Sequence, residues 1–239
     1  MVEFKWIPEN GMSLKWKVDF LPAQSFIMCF PENFTARNTK AFLGYWNTEM
    51  EWNFSKNVAE GTATDELSEL YVRVFQKANE HTIHWHMSFK NIWNNAMDQV
   101  AAFNCLNLCE APLFQDLAMA RTKVKDATGN WCELRRVQKT IGHRTIQFYP
   151  AVGGIALDEH PWVRGFELTS EQTLSGNSIV VESTDSKWIL QNVVQGPVAF
   201  FFNNWEQDAG CIHVAPLFGS VMPGEEAMVK GMIRFKKQE

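Results

Sequence analysis

Alternation with a period of two is the pattern that most constrains this chain. Ile83, Trp85, Met87 and Phe89 are apolar, while Thr82, His84, His86 and Ser88 between them are polar. On an extended chain successive side chains point to opposite faces, so one face here suits a core and the other suits polar contacts. The period recurs in residues 14–20, where Leu14, Trp16, Val18 and Phe20 oppose Lys15, Lys17 and Asp19, and in 50–54, where Met50, Trp52 and Phe54 share a face. Residues 66–76 carry two signals. Leu67, Leu70 and Val74 fall at helical spacing, but Tyr71-Val72 and Val74-Phe75 favour a strand over 68–77. Further strands are expected at 100–108, 131–138, 145–149, 179–182, 187–193, 198–202, 211–214 and 228–235.

Turn chemistry separates these segments: Asn10-Gly11, Gly129-Asn130, Gly153-Gly154, Gly176-Asn177, Gly196-Pro197 and Pro223-Gly224. Only residues 113–121 suggest a short helical turn. Many strands with regular turns predict an all-β fold of two packed antiparallel sheets, a β-sandwich with few or no helices, as one domain over residues 1–239.

Hydrophobic residues make up 46% of the 239 and charged residues 21%, enough apolar material for a full core. The net charge is −5 and no Lys/Arg cluster is present, which argues against nucleic acid or an anionic membrane as partner. No run approaches the roughly 20 apolar residues of a spanning helix. Residues 1–7 lack the apolar stretch of a signal peptide, so a cytoplasmic location is expected unless a leader has been removed. Five cysteines at irregular spacing are expected to be reduced and mostly buried. The motifs of α/β-hydrolases, zincins, P-loop NTPases and Rossmann dehydrogenases are absent. Oligomeric state leaves no signature.

His84-Trp85-His86 is the sharpest local feature. Imidazoles two apart on a strand project from one face with origins about 6–7 Å apart, so their nitrogens can converge on one divalent metal ion. The pattern resembles part of the cupin metal site, but no acid follows, so a third ligand would come from His213, Glu49, Glu51 or Asp116. Two surface histidines on a polar strand face are the plainer reading. Cys211-Ile212-His213 repeats the geometry, with metal ligation, thiolate activation or simple packing as its readings. Residues 203–208, expected as a loop between two strands, combine Asn203, Asn204, Trp205, carboxylates and an amide, a set that suits sugar hydroxyls and a sugar face. His160-Pro161-Trp162 forms a second such loop. Asp116 and Arg121 offer an acid and a guanidinium, which would either pair internally or clamp a substrate carboxylate. Ten tryptophans, where average usage gives about three, supply core area and flat platforms for sugar rings.

Phe89-Lys90-Asn91 with residues 100–108, and Pro223-Gly224-Glu225 launching residues 228–235, resemble the galactose-mutarotase-like supersandwich and the sandwich domains of polysaccharide-degrading enzymes. The run Asn203-Asn204, Cys211-Ile212-His213, Pro216-Leu217-Phe218-Gly219 also resembles uncharacterised bacterial proteins of similar length. The resemblance implies a carbohydrate-active enzyme performing hydrolysis, β-elimination or epimerisation, with a histidine and an acid on a concave sheet. His84, His86, His213 and Asp116 are then the expected catalytic groups. Trp46, Arg121, Asn203, Asn204 and Trp205 are the expected substrate contacts, and His84, His86 and His213 the expected metal ligands. A non-catalytic carbohydrate-binding module and a cupin-like metalloenzyme acting on a small molecule are the alternatives, and a purely structural protein is a further one.

Overall fold

The computed structural model describes residues 2–6, 11–44, 48–137, 146–164, 169–206 and 209–238. In chain order the strands are β1 (Val2–Trp6), β2 (Ser13–Val18), β3 (Phe26–Cys29), β4 (Phe34–Thr35), β5 (Glu51–Ser55), β6 (Val58–Thr64), β7 (Ser68–Gln76), β8 (Thr82–Asn91) and β9 (Met97–Ala102). They continue as β10 (Cys105–Asn107), β11 (Thr122–Asp126), β12 (Trp131–Glu133), β13 (Gln147–Pro150), β14 (Leu174–Glu182), β15 (Trp188–Val194), β16 (Val198–Glu206), β17 (Ala209–Val221) and β18 (Glu226–Lys237). Helical structure among the described residues is confined to three 3-10 turns and the single turn α1 (Pro161–Arg164).

The strands form two antiparallel sheets. The first runs β1-β2-β3-β10-β17-β16-β13, with β9 also pairing β17 and β4 pairing β9. The second runs β12-β11-β14-β15-β18-β8-β7-β6-β5. Between them lies an aromatic core. Phe26 of the first sheet meets Phe235 of the second at 5.0 Å, Phe34 meets Phe89 at 5.0 Å, and Phe30 stands edge-on to Trp85 at 6.1 Å. The period-two pattern dictates this arrangement. Ile83, Trp85, Met87 and Phe89 of β8 are buried, as are Leu14, Trp16 and Val18 of β2, where Trp16 stacks on Phe26 at 6.1 Å. Burying one such large side chain contributes roughly 1.5–3 kcal/mol. Of residues 66–76, Ser68–Gln76 form a strand, because Leu70, Val72 and Val74 alternate into the core.

The far face of the first sheet is also dry at its centre. Phe148 and Phe202, paired in register, approach at 4.6 Å, and Phe103 stands over them, 5.0 Å from Phe202. Trp162 of α1 closes the cluster at 4.8 Å from Phe103. Burial on both faces explains why β16 opens as the unbroken apolar run Val198–Phe202 rather than alternating.

Several expected boundaries shift. Residues 100–108 are two strands, β9 and β10, separated by Phe103-Asn104, and both pair with the long β17. Gln99 sits at φ +52°, and the β9–β17 register slips on either side of Gly219. Only the start of 131–138 is strand; Leu134–Arg136 turn as a 3-10 helix, and residue 138 lies outside the described residues. The helical reading of 113–121 reduces to one 3-10 turn at Pro112–Phe114.

Candidate functional site

The outward face of the second sheet is the wet one, and antiparallel register aligns its side chains in rows. Glu60 of β6, Arg73 of β7, His86 of β8 and Lys230 of β18 form one row. Thr62, Tyr71, Ser88 and Met228 form the next, and Thr64, Glu69, Lys90 and Glu226 the one beyond. Directly opposed residues on one face of such a ladder have Cβ atoms about 5 Å apart, so each row acts as a continuous strip of chemistry. Tyr71 Oη donates to Glu60 Oε1 at 2.6 Å, Lys90 Nζ donates to Glu69 Oε2 at 2.8 Å, and Ser88 Oγ donates to Glu226. A cleft of about 270 Å³ lies among Thr62, Glu69, Tyr71, Ser88, Lys90 and Glu226. The Tyr71 ring is 38% exposed and offers an aromatic edge at the cleft.

The two strand histidines differ in their freedom. His84 Nε2 is held by Glu80 Oε2 at 2.7 Å, and its ring stacks on Phe75 at 5.2 Å. His86 meets the same Phe75 edge-on at 5.3 Å. Partial burial first, then the positive charges of Lys230 and Arg73, lower the His86 pKa below its ordinary 6.5. Its imidazole is therefore neutral at pH 7 and available as a proton acceptor.

His213 does not join them. It lies on the far face of the first sheet, with the whole inter-sheet core between it and the His84/His86 face, which corrects the expectation that the three histidines form one site. The ring is buried, stacks on Phe103 at 4.2 Å, and is kept neutral by desolvation, its pKa pushed down to about 3. Its Nε2 is 3.1 Å from Cys211 Sγ. Cys105, Cys211 and His213 present donor atoms within 4.8 Å of one another, the one such trio of His, Cys, Asp or Glu among the described residues. His84 and His86 gather no third ligand among those residues.

Other expected site residues turn inward. Asp116 is buried and accepts hydrogen bonds from the main-chain N–H groups of Ala120, Arg121 and Thr122 and from Thr122 Oγ1. It shapes the chain between the 3-10 turn and β11, so its placement among catalytic acids is corrected. Arg121 spends its guanidinium on the carbonyls of Leu113, Gln115 and Glu182, with Asp116 3.9 Å from Nε, and is not a substrate clamp. Trp205 is 2% exposed and packs over Gly210, so it is no sugar platform. Asn203 and Asn204 belong to β16 rather than to a loop, Asn203 fully buried and Asn204 half-buried. Trp46 lies outside the described residues. The site residues that sequence reasoning missed are Tyr71, Arg73, Ser88, Glu69, Glu226 and Lys230. The β7–β8 hairpin could have revealed the first three, because Arg73 and Tyr71 alternate with the core residues of β7 just as His86 and Ser88 do on β8.

His160, from the second expected loop, is also buried. It makes only long contacts of 3.5 Å, to Thr35 Oγ1 and Gln99 Oε1. Burial, then the charge of Arg37, push its pKa down to about 4, against the opposing pull of Asp98 and Glu159. A base whose folded pKa lies below its unfolded 6.5 loses stability as pH falls between those values, because the unfolded chain takes up the proton first. This residue should cost the fold about 3 kcal/mol between pH 6.5 and pH 4. Urea midpoints measured across that range should fall less steeply for His160→Gln than for the wild type; parallel curves would contradict the assignment.

The two antiparallel sheets and the wet outer face of one of them define a large β-sandwich. No protein-family model and no curated protein matches the sequence. Among solved structures, the chain is similar in fold to a galactose mutarotase-like protein from Clostridium acetobutylicum, with a TM-score of 0.52 at 8% identity over 100% of this chain and 99% of that one. It is similar also to a putative aldose 1-epimerase from Escherichia coli K12, TM-score 0.51 at 9% identity over 100% of both chains. An α-mannosidase from Enterococcus faecalis aligns at TM-score 0.52 and 11% identity over 99% of this chain but 28% of that enzyme. The likeness to all three is one of fold.

Proposed function

We propose that this chain binds a saccharide on the outward face of the second sheet and moves a proton at its anomeric hydroxyl through His86. The observation that carries the reading is a neutral imidazole, flanked in register by Arg73 and Lys230, beside a cleft rich in hydroxyl and carboxylate groups. Glu69, Glu226 and Ser88 supply acceptors for sugar hydroxyls, Lys90 a donor, and Tyr71 an aromatic surface for C–H groups. Opening a sugar ring requires a base at O1 and an acid at O5. His86 takes the O1 proton, the C1–O5 bond breaks, and the Lys230 ammonium protonates O5; reclosure from the other face inverts C1. Arg73 stabilises the negative charge that develops on O1. The solved structures named for aldose epimerisation and galactose mutarotation support the choice of substrate class through the fold alone.

Exchange between α and β anomers, followed by NMR over a panel of aldoses, tests this. General-base catalysis contributes about 10²–10⁴-fold, so His86→Ala should lose at least about a hundredfold in rate on the accepted sugar, while His84→Ala stays near wild type. An undiminished rate in His86→Ala would sink the catalytic assignment. Binding without acceleration by the wild type would replace it with a non-catalytic carbohydrate-binding role.

A further inference from the structure

The trio on the far face of the first sheet lies outside the proposed saccharide site and has its own chemistry. Cys105 of β10 and His213 of β17 face one another: the adjoining pairs Leu106–Ile212 and Asn107–Cys211 fix the register. Cys211, two residues from His213, points to the same side. Cys29 of β3 pairs with Cys105 from the opposite edge, and the half-buried Glu32 hydrogen-bonds the Cys105 thiol through its carboxyl. Two cysteines and a histidine with donor atoms within 4.8 Å are all buried, under a cover of Phe103 and Trp162. No saccharide reaches them there.

We propose that Cys105, Cys211 and His213 form a closed zinc site that ties β10 to β17. Zinc takes thiolate sulfur at about 2.3 Å and imidazole nitrogen at about 2.0–2.1 Å, and tetrahedral angles then put neighbouring donors about 3.5–3.8 Å apart. The observed span needs only side-chain adjustment to meet that, and the 3.1 Å between His213 Nε2 and Cys211 Sγ opens by a few tenths of an ångström. Two thiolates, formed by loss of their protons, and a neutral imidazole offset the charge of one divalent cation. With Nε2 on the metal, Nδ1 carries the proton. That atom has no well-placed hydrogen-bond partner among the described residues, and the nearby Asn104 main chain is the group able to orient it. Glu32, which hydrogen-bonds the Cys105 thiol, offers a carboxyl oxygen for the fourth position.

The protein should be produced without a histidine tag in medium supplemented with zinc, and separately with cobalt(II), so that metal enters as the chain folds. The expected result is about one zinc per chain, and for cobalt the visible bands of a tetrahedral ion with thiolate-to-metal charge transfer. Cys211→Ser should remove the charge transfer in part and lower occupancy several-fold, while the His84→Ala/His86→Ala double variant keeps full occupancy. Folded wild-type protein with no bound zinc and no cobalt charge transfer would overturn the proposal, whatever the variants do. So would a Cys105–Cys211 disulfide in the isolated protein, or metal that departs with His84 and His86.

Discussion

Replacing Asp116 with alanine is expected to destabilise the fold by about 3–5 kcal/mol, the larger of two effects set by the scaffold. The carboxylate is 4% exposed and accepts four hydrogen bonds, three of them from the consecutive main-chain groups of Ala120, Arg121 and Thr122. Alanine leaves those N–H groups without the acceptor that turns the chain into β11, at about 1–3 kcal/mol for each one that stays dry. The Arg121 guanidinium also loses its neighbouring anion while still packed against the Leu113, Gln115 and Glu182 carbonyls. A domain is stable by only about 5–15 kcal/mol in total, so the urea midpoint should fall by a large fraction. Asp116→Asn keeps one acceptor oxygen and should lose distinctly less. A catalytic role would give the reverse signature, with an unchanged midpoint and lost turnover.

Gly231→Ala is the second. Gly231 on β18 lies directly opposite Trp85 on β8, and a Cβ there would stand 2.1 Å from the indole Cζ2 and 2.4 Å from the Val193 carbonyl oxygen. Neither neighbour yields easily: Trp85 is fully buried in the core, and Val193 sits in the ladder between β15 and β18. Overpacking of this kind typically costs about 1–3 kcal/mol, and with a main-chain atom among the obstacles the upper end is expected. Thermal unfolding should show the loss, and Trp85→Leu in the Gly231→Ala background should recover part of it. A melting temperature equal to wild type would mean that the Trp85 indole does not lie over Gly231 as described.

These two sites show what the sequence could and could not convey. The alternation of residues 83–89 was legible because β8 has one dry face and one wet face, and the same holds for β7. β16 does not alternate because Phe103 and Trp162 cover its far side, a fact of tertiary packing that no local pattern states. β3 and β11 passed unnoticed for different reasons: the first is four residues long, and the second, Thr122–Asp126, is largely polar at a sheet margin. The tryptophan excess is partly core, with Trp16, Trp85 and Trp205 sealed inside. At the candidate site the two strand histidines were visible, but their neighbours were not. Lys230 and Glu226 come from the last strand, and only the β8–β18 register places them beside residues 86–90. His213 was read correctly as sharing a strand face with Cys211; the partner that completes its setting, Cys105, arrives from β10 a hundred residues away in the chain.

The central claim is that the ligand lies on the outward face of the second sheet. Imidazole NMR resonances, assigned by single His→Gln variants, report on both faces at once during titration with an aldose that the protein accepts. His86 should shift progressively with saturation, and its pH titration should change in the complex, while His213 and His160 stay fixed beneath their aromatic and polar cover. Saturable shifts confined to His213 or His160, with His86 unmoved, would place the ligand on the other sheet and contradict the account.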